Sequence, residues 1–303
     1  MIGLGKIQRT LKKARYDAVR YTRDEGGGMR MGIKTLCAKV GMSRQNFYKA
    51  RKQRQRQVVD EELVKELVKV ERAVQPRLGG LKLHGLLRLE LEDAGVRLGR
   101  DRFFKVLKNQ GLLLEQLPKA PHTTCSRHSL PVFGNQVKEL KLTGPNQAWA
   151  SDITYIRTRD EFAYLSLITD MCSRKIVGYH LGKTLEAQET LMALEMALKE
   201  KPKGACPIHH SDRGSQYCCH EYVKQLKDHN MPISMTEEKH CAENALAERV
   251  NGILKQEYWL NCEFRTMEQA LQAVEEAIHL YNTRRPHRSL NYRTPDQIHR
   301  AAA

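Results

Sequence analysis

The stretch QAWASDITYIRTRDEFAYLSLITDMCSRKIVGYHLG, residues 147–182, decides the fold. It contains three short runs of apolar and β-branched residues, each bounded by residues of the kind that form turns. The runs lie at 148–156, 162–168 and 175–181. Strands this close together along a chain pair with their neighbours, so the stretch predicts an antiparallel meander of three strands.

The residues that follow alternate between helical and strand patterns, with apolar positions at three- and four-residue steps in the helices. The predicted elements are a helix at 186–199, a strand at 206–211, a helix at 220–229, a strand at 233–235, a helix from about 245 and a helix at 267–282. Three antiparallel strands followed by this alternation predict an α/β layer arrangement in the order of ribonuclease-H-like folds. We therefore predict a ribonuclease-H-like catalytic core at 147–283, with a mixed five-stranded sheet and flanking helices.

Two acidic residues of this core, Asp212 and Glu248, have 35 residues between them. Asp212 begins a turn at the end of a predicted strand, and Glu248 lies on a predicted helix. A carboxylate at a strand end and another on a helix could meet at one divalent cation site. Lys255 follows Glu248 by seven residues and projects from nearly the same side of the helix. It is either a contact to a DNA phosphate or an ordinary surface lysine.

Two divalent cations about 3.5–4 Å apart can drive phosphodiester displacement. Three carboxylates suffice to hold them when the substrate phosphate supplies further oxygen ligands, so Asp212 and Glu248 need a third partner. Asp152, in the middle of the first strand, and Asp170, at the end of the second, compete for this role. If Asp170 lay on the first strand, only one strand would precede the helix at 186–199. Asp152 keeps three strands before that helix, so we choose Asp152 and expect Asp170 to be a strand-end or turn carboxylate.

An isolated aspartate is usually a solvated cap or ion-pair residue. An aspartate inside an apolar strand is different, since its desolvation must be compensated and metal coordination would do so. His209 and His210 precede Asp212 and could support the acids through hydrogen bonds without binding the metal themselves. They show no zinc-site spacing with any nearby cysteine.

The formal net charge of +16 is concentrated at the N-terminal end. Residues 1–60 contain 16 lysines and arginines against 4 acidic residues. Such a basic end indicates a polyanionic partner, most readily nucleic acid, although a merely basic surface gives the same composition. The eight cysteines form no Cys-x-x-Cys pair, and the chain shows neither a secretory leader nor an apolar run of membrane-span length. A reduced cytoplasm and no membrane association are expected.

Residues 1–58 are predicted to be a basic helix-turn-helix DNA-binding region, with a glycine-rich break at 25–28. Within it, residues 33–48 predict two short helices around a tight turn, in which Gly41 takes the left-handed conformation and Ser43 caps the second helix. Small Cys37 is expected where the helices pack closely. The exposed start of the second helix would carry the residues that contact DNA, Arg44, Gln45 and Asn46. An ordinary helical hairpin is the alternative.

The remaining segments are less informative. Residues 59–116 predict an amphipathic helix at 60–76 and a helix pair at 81–91 and 100–107, which form a second helix-turn-helix-like region, a helical connector or an oligomerisation surface. Residues 117–146 are basic, contain prolines and lack periodicity, which predicts a linker. Residues 284–303 form a C-terminal tail.

Several motifs together resemble bacterial insertion-sequence transposases of the IS-three family, which belong with the Asp-Asp-Glu transposases and retroviral-type integrases. The matching stretches are 149–156, 210–217, 243–248, 281–290 and Thr294-Pro295, together with the helical unit at 79–112. The 35-residue gap between Asp212 and Glu248 also matches the family spacing. Two departures occur in the loop before Glu248: Glu243 replaces a common aspartate, and Lys239-His240 replace a Gly-Asn pair.

The resemblance implies that Asp152, Asp212 and Glu248 are the catalytic and metal-binding triad for two Mg²⁺ ions, with Mn²⁺ as a possible substitute, when DNA is bound. It also implies that Lys255 contacts DNA near the cut end. The expected partners are the double-stranded terminal inverted repeats of the element, the target DNA and further copies of the chain in a dimeric or larger synaptic complex. The expected location is the bacterial cytoplasm, in association with the nucleoid.

The hypothesis is therefore a DNA transposase that binds the terminal inverted repeats, cleaves a DNA strand and transfers the freed 3′-hydroxyl to another phosphodiester. The resemblance further implies a circular intermediate before integration, and relatives whose first part is encoded separately leave room for a further N-terminal segment. One alternative is a ribonuclease-H-like nuclease without strand transfer. Another is a catalytically silent, sequence-specific DNA-binding regulator.

Overall fold

The computed structural model describes residues 4–24, 32–115, 130–159, 161–237 and 244–301. Within the chain, one compact unit comprises Met1–Leu67 with Gly95–Arg97, and a second comprises Val68–Ala94 with Leu98–Ala303. The predicted break at 25–28, the linker residues 117–129 and the substituted loop positions at 239, 240 and 243 lie outside the described residues.

The first unit contains α1 (Leu4–Asp24), α2 (Ile33–Lys39) and the first part of α3 (Arg44–Val74). The turn between α2 and α3 follows the prediction, since Gly41 has a φ of +63° and the hydroxyl of Ser43 accepts a hydrogen bond from the backbone N–H of Asn46. Buried side chains from all three helices form its core: Tyr16, Val19, Leu36, Cys37 and Phe47.

Two predictions for this region were incomplete. The helix predicted at 60–76 is present as far as Val74, but it is the last part of a longer helix, because α3 continues unbroken from Arg44 to Val74. No glycine or proline interrupts residues 44–74, so nothing ends the helix between the two predicted segments. Helix α1 was not predicted at all.

Three short helices follow in the second unit: α4 (Gly80–Leu86), α5 (Arg88–Asp93) and α6 (Arg100–Asn109). The single helix predicted at 81–91 is broken at Leu87, whereas α6 agrees with the helix predicted at 100–107. Apolar side chains on one side of each helix are buried: Leu83, Leu87, Leu91, Phe103, Val106 and Leu107.

The sheet has five strands in the order β3-β2-β1-β4-β5. Their bounds are β1 Ala148–Arg157, β2 Phe162–Asp170, β3 Ile176–Gly182, β4 Ile208–Ser211 and β5 Ile233–Met235. The first three strands are antiparallel, and β4 and β5 run parallel to β1. The predicted meander and the predicted mixed five-stranded sheet are confirmed.

Helices cover both faces of the sheet. One face carries α7 (Ala187–Glu200), α8 (Ser215–Cys218) and α9 (His220–Asp228), and the other carries α10 (Ala245–Glu257) and α11 (Met267–Thr283). Each face encloses its own cluster of buried apolar side chains, with Trp149 in the first and Ile156 in the second. The core is therefore a three-layer, ribonuclease-H-like fold, as predicted.

The segments on either side of the core pack onto it. The described part of the predicted linker lies along β5, where Gln136 donates hydrogen bonds to Ser234 and to the carbonyl of Ile233, and Phe133 packs against the apolar core. The C-terminal tail contains a short 3-10 turn (Arg288–Leu290) and α12 (Pro295–Arg300). The division of residues 59–303 into four predicted segments stays a prediction, because most of these residues pack in one unit.

Across the described ranges, every helix is too short or too polar to cross a membrane.

Candidate active site

Asp152 lies in the middle of β1 on the face of the sheet that α10 covers. Side chains alternate along a strand, and Ile156 packs in the cluster beneath α10 and α11, whereas Trp149 faces the opposite cluster. The Oδ2 of Asp152 accepts a hydrogen bond of 2.7 Å from the Nδ2 of Asn251 on α10. Asp152 is thus held between the sheet and this helix.

Asp212 directly follows β4, the strand that runs parallel to β1. The paired positions are Ala148 with Ile208, Trp149 with His209 and Ala150 with His210. The same register, continued by two residues, brings Asp212 beside Asp152. Its Oδ1 accepts a hydrogen bond of 2.9 Å from the backbone N–H of Gly214, and a Cβ at position 214 would come within 3.0 Å of that oxygen. Glycine at 214 therefore lets the turn close around the carboxylate.

Glu248 lies in the first turn of α10, and two asparagines attach this helix to β1. The Nδ2 of Asn244, at the N-cap, donates a hydrogen bond of 3.0 Å to the carbonyl of Ser151. Asn251, three residues after Glu248, donates to Asp152. Residues three apart share a helix face, so Glu248 lies on the side of α10 that is turned toward Asp152.

The three predicted acids share one electrostatic environment. Burial raises the pKa of the Asp152 carboxyl to about 7, and the negative charges of Asp212 and Glu248 add to the rise. The backbone N–H of Ile153 and the amide of Asn251 oppose it. The register of β1 and β4 and the face of α10 that carries Asn251 place Asp212 and Glu248 on the side of Asp152, in agreement with the effect of their charges on its pKa.

Lys255 lies on the same face of α10 as Glu248 and is half-buried. Burial lowers the pKa of its ammonium group, and the negative charge of Asp152 opposes this shift. The side chain therefore lies near the acids. Its contact with a DNA phosphate stays a prediction.

Asp170, the competing acid, is fully buried at the end of β2. Its Oδ1 accepts hydrogen bonds from the backbone N–H groups of Cys172 and Ser173 and from the hydroxyl of Ser173. Its Oδ2 accepts one of 2.6 Å from the backbone N–H of Asn146. Both carboxylate oxygens of Asp170 therefore accept hydrogen bonds from neighbouring loop residues, in agreement with the expectation of a turn carboxylate.

The two histidines before Asp212 are buried beside the neighbouring strands. The Nε2 of His209 lies 2.7 Å from the hydroxyl of Ser151 and 2.9 Å from that of Tyr222, and the Nδ1 of His210 lies 2.9 Å from the hydroxyl of Ser234. Burial lowers the pKa of His209 to about 3, so its ring is neutral. These contacts connect β4 to the strands and helix around it.

In the parts of the chain that the structure describes, no group of three or more histidine, cysteine, aspartate or glutamate side chains is close enough to hold a metal ion. The charges of Asp212 and Glu248 influence the pKa of Asp152, but the three carboxylates do not converge closely enough to form a complete set of metal ligands. One of the buried polar atoms that make no hydrogen bond among the described residues is the Oδ1 of Asn251. It belongs to the same side chain that donates to Asp152, so a polar atom with free bonding capacity lies beside this acid.

The predicted DNA-contacting residues of the first unit are Arg44, Gln45 and Asn46. All three are exposed at the N-terminal end of α3, directly after the turn at Gly41. This is the end of a second helix that reads base edges in helix-turn-helix proteins.

Sequence reasoning overlooked Asn251, which donates the hydrogen bond to Asp152. Asn251 lies between Glu248 and Lys255 at steps of three and four residues, so helical spacing alone places it on their face.

Comparison with known proteins identifies relatives of the chain. Residues 143–241 and residues 229–295 each match a family described as "Integrase core domain". Over 276 residues the chain is 33% identical to the "Insertion element IS600 uncharacterized 31 kDa protein" of Shigella sonnei, covering 88% of this chain and 100% of that protein. Over 228 residues it is 32% identical to "Transposase InsF for insertion sequence IS3A" of Escherichia coli (strain K12), covering 74% and 78%.

Two solved structures are similar to the chain at low sequence identity. The HTLV-2 integrase catalytic core domain in complex with magnesium matches with a TM-score of 0.43 at 22% identity, covering 52% of this chain and 99% of that one. The simian T-cell lymphotropic virus intasome in complex with PP2A regulatory subunit B56 gamma matches with a TM-score of 0.46 at 19% identity, covering 72% and 73%.

Proposed function

The chain belongs to the IS3 family of bacterial insertion-sequence transposases, and from this membership we propose that it cuts and joins the ends of its own element with Asp152, Asp212 and Glu248. Membership of this family gives the chain a transposase function and an integrase core domain. The identity of the three acids, the metal, the DNA contacts and the assembly are proposals about this chain.

The observation that carries the proposal is the environment of Asp152. Its carboxyl is desolvated, and two further carboxylates raise its pKa toward neutrality. Such an arrangement is unfavourable for a folded chain unless a cation compensates the charges. Lys255 supplies one nearby positive charge against three negative ones.

The donors present fit Mg²⁺, or Mn²⁺ in its place. Carboxylate oxygens are the hard ligands that Mg²⁺ prefers, and it keeps several waters that need polar neighbours. The Oδ1 of Asn251 is such a neighbour, without another partner among the described residues. When bound, a pair of divalent cations would activate the attacking oxygen and stabilise the leaving one.

The roles of the chain's own residues follow from their contacts. Asp152, Asp212 and Glu248 would hold the cations. Asn251 orients the Oδ2 of Asp152, and the N–H of Gly214 orients the Oδ1 of Asp212. Lys255 would contact a phosphate next to the reacting one.

The reaction proceeds in two displacements. Water attacks the phosphorus at the element end, the bond from phosphorus to the 3′-oxygen breaks, and the 3′-hydroxyl is released with a proton from solvent. This hydroxyl then attacks a second phosphodiester, forming one new P–O bond as another breaks. The number of phosphodiester bonds is conserved in the second step, and no covalent protein intermediate forms.

Arg44, Gln45 and Asn46 would recognise the terminal inverted repeats in the major groove. Joining requires two DNA ends at once, so we propose a homodimer or larger synaptic complex as the working form.

The test uses the full chain, labelled DNA of the element end and Mg²⁺. Joined products are expected from the wild type, and Asp152→Asn, Asp212→Asn and Glu248→Gln should abolish cleavage while leaving end binding intact. Asp228→Asn is the matched control, because Asp228 is an exposed acid on α9 that pairs with Lys224. Cleavage without joining would indicate a nuclease, end binding without cleavage by the wild type would indicate a regulator, and cleavage by Asp152→Asn would exclude the triad.

A further inference from the structure

The C-terminal motif at 281–290 has no part in the proposed chemistry, yet it contains a fully buried arginine. Only 2% of the Arg285 side chain is exposed. A guanidinium group is never neutral in a protein, so its burial requires an anionic partner and several hydrogen bonds.

The partner of Arg285 is Glu257, the last residue of α10. The Nε of Arg285 donates to Oε2 of Glu257 at 2.8 Å, and an Nη atom donates to Oε1 at 3.0 Å. The Nζ of Lys82, on α4, donates to the same Oε1 at 2.7 Å. This two-point contact fixes the orientation of the carboxylate as well as its position.

The remainder of the motif supports the arginine. The Nε2 of His287 lies 2.9 Å from an Nη atom of Arg285, and burial together with the charge of Arg285 lowers the pKa of His287 to about 2. The histidine is therefore neutral and accepts the hydrogen bond. Its ring packs edge-on against Tyr281 with the ring centroids 5.0 Å apart.

Glu257 lies on the side of α10 opposite the acids. It follows Glu248 by nine residues, which at about 100° per residue is two and a half turns of the helix and ends on the opposite side. Glu248, Asn251 and Lys255 face Asp152, whereas Glu257 faces Arg285 and Lys82. Helix α10 is therefore held from both sides.

We propose that Arg285 is a positioning residue, which fixes the rotation of α10 through Glu257 so that Glu248 faces Asp152. This inference rests on the proposed function of the three acids. It assigns a role to the C-terminal motif as the outer support of the helix that carries the third acid. Coordination distances vary by only about 0.2 Å in a working metal site, so a small rotation of α10 would weaken the site.

A neighbouring arginine provides a matched control. Arg284 comes from the same motif and makes a hydrogen-bonded ion pair with the buried Glu71, at 2.9 Å and 3.3 Å, but among the described residues it makes no hydrogen bond or ion pair with α10. Loss of Arg284 should therefore lower the stability of the tail without changing the rotation of α10.

The experiment compares Arg285→Ala, Arg285→Lys, Glu257→Gln and Arg284→Ala in the full chain without DNA. Mn²⁺ binding is measured by electron paramagnetic resonance, and amide hydrogen exchange is followed across residues 245–257. Arg285→Ala and Glu257→Gln should weaken Mn²⁺ binding about tenfold and speed exchange in α10, as loss of a supporting contact does at metal sites. Arg285→Lys should recover part of the loss, and Arg284→Ala should leave Mn²⁺ binding and α10 exchange at wild-type values.

Asp152→Asn separates this inference from the proposed function. If Asp152→Asn binds Mn²⁺ like the wild type, the proposed metal site is wrong, while faster α10 exchange in the Arg285 variants would still support the positioning role. If the Arg285 and Glu257 variants keep wild-type Mn²⁺ affinity and wild-type exchange, the positioning role is overturned. If Arg285→Ala does not fold, Glu257→Gln and Arg285→Lys decide the question by the same two measurements.

Discussion

The side-chain amide of Asn251 donates a hydrogen bond of 2.7 Å to the half-buried carboxyl of Asp152, so the long helix after the sheet directly contacts the central acid. Asn244 makes a second bond from the same helix to the carbonyl of Ser151. Together they fix α10 on β1 at two adjacent residues of the strand. The approach of Glu248 to Asp152 follows from these two bonds.

Replacing Asn251 by alanine should lower the rate of end cleavage. The lost hydrogen bond leaves a half-buried carboxyl without its side-chain donor, which costs about 1–3 kcal/mol, or roughly a five- to 150-fold loss of rate if the cost falls on the active form. Single-turnover cleavage of labelled end DNA in Mg²⁺ measures the effect.

Gln256→Ala is the control for this substitution, because Gln256 is an exposed amide on the same helix. It should cleave at the wild-type rate, and both variants should bind end DNA normally. Unchanged cleavage by Asn251→Ala would show that the hydrogen bond does not organise the site.

Asp152 should make the metal-free protein less stable as the pH rises. Its pKa is about 7 in the folded chain and about 3.9 when exposed. Between these values the folded state keeps a proton that the unfolded state has released, so stability falls as the pH rises from about 4 to about 7. Asp152→Asn should therefore raise the free energy of unfolding at about pH 8 by on the order of 1–3 kcal/mol after allowance for solvent screening, and the melting temperature should rise with it.

Thermal melts with and without Mg²⁺ check this. The advantage of Asp152→Asn should disappear near pH 4, and Mg²⁺ should stabilise the wild type far more than the variant at about pH 8. A variant that is less stable than the wild type at every pH would contradict the assigned environment of Asp152.

The arrangement of the core could be predicted because its signals are local. Strand lengths, alternation and turn residues between 147 and 182 determine the meander, and helical spacing determines α7, α10 and α11. Asp152 was separated from Asp170 by counting strands, and the turn contacts of Asp170 explain why it is not available.

The parts that could not be predicted depend on packing between distant residues. A basic tail with Arg284 and Arg285 has the composition of a solvated segment, and only the folded chain shows that Arg285 pairs with Glu257. The continuity of α3 was missed for a local reason. The patterns at 44–48 and 60–76 were treated as two helices, although no glycine or proline separates them.

Lys255→Ala should weaken binding to end DNA and reduce its dependence on salt. One lost phosphate contact lowers the slope of the logarithm of the binding constant against the logarithm of salt concentration by about 1. Titrations at several salt concentrations measure this slope. Lys224→Ala should leave it unchanged, since Lys224 is an exposed lysine that pairs with Asp228. Equal slopes for Lys255→Ala and the wild type would show that Lys255 does not contact a DNA phosphate.

Asn46→Ala should reduce the preference for inverted-repeat DNA over random DNA without reducing general DNA affinity. The Asn46 side chain is exposed at the start of α3, and the helix cap uses its backbone N–H, which alanine retains. An amide that contacts adenine in the major groove contributes about 1–3 kcal/mol of discrimination. Competition binding with repeat and random duplexes gives the ratio.

Gln55→Ala on the same helix is the control, because Gln55 is exposed nine residues beyond Asn46, about two and a half turns further along α3. It should bind both duplexes like the wild type. A loss of affinity for both duplexes in Asn46→Ala would indicate that Asn46 contacts the sugar-phosphate backbone of the DNA, since phosphate contacts carry no sequence information. An unchanged ratio would favour the alternative of an ordinary helical hairpin for residues 33–48.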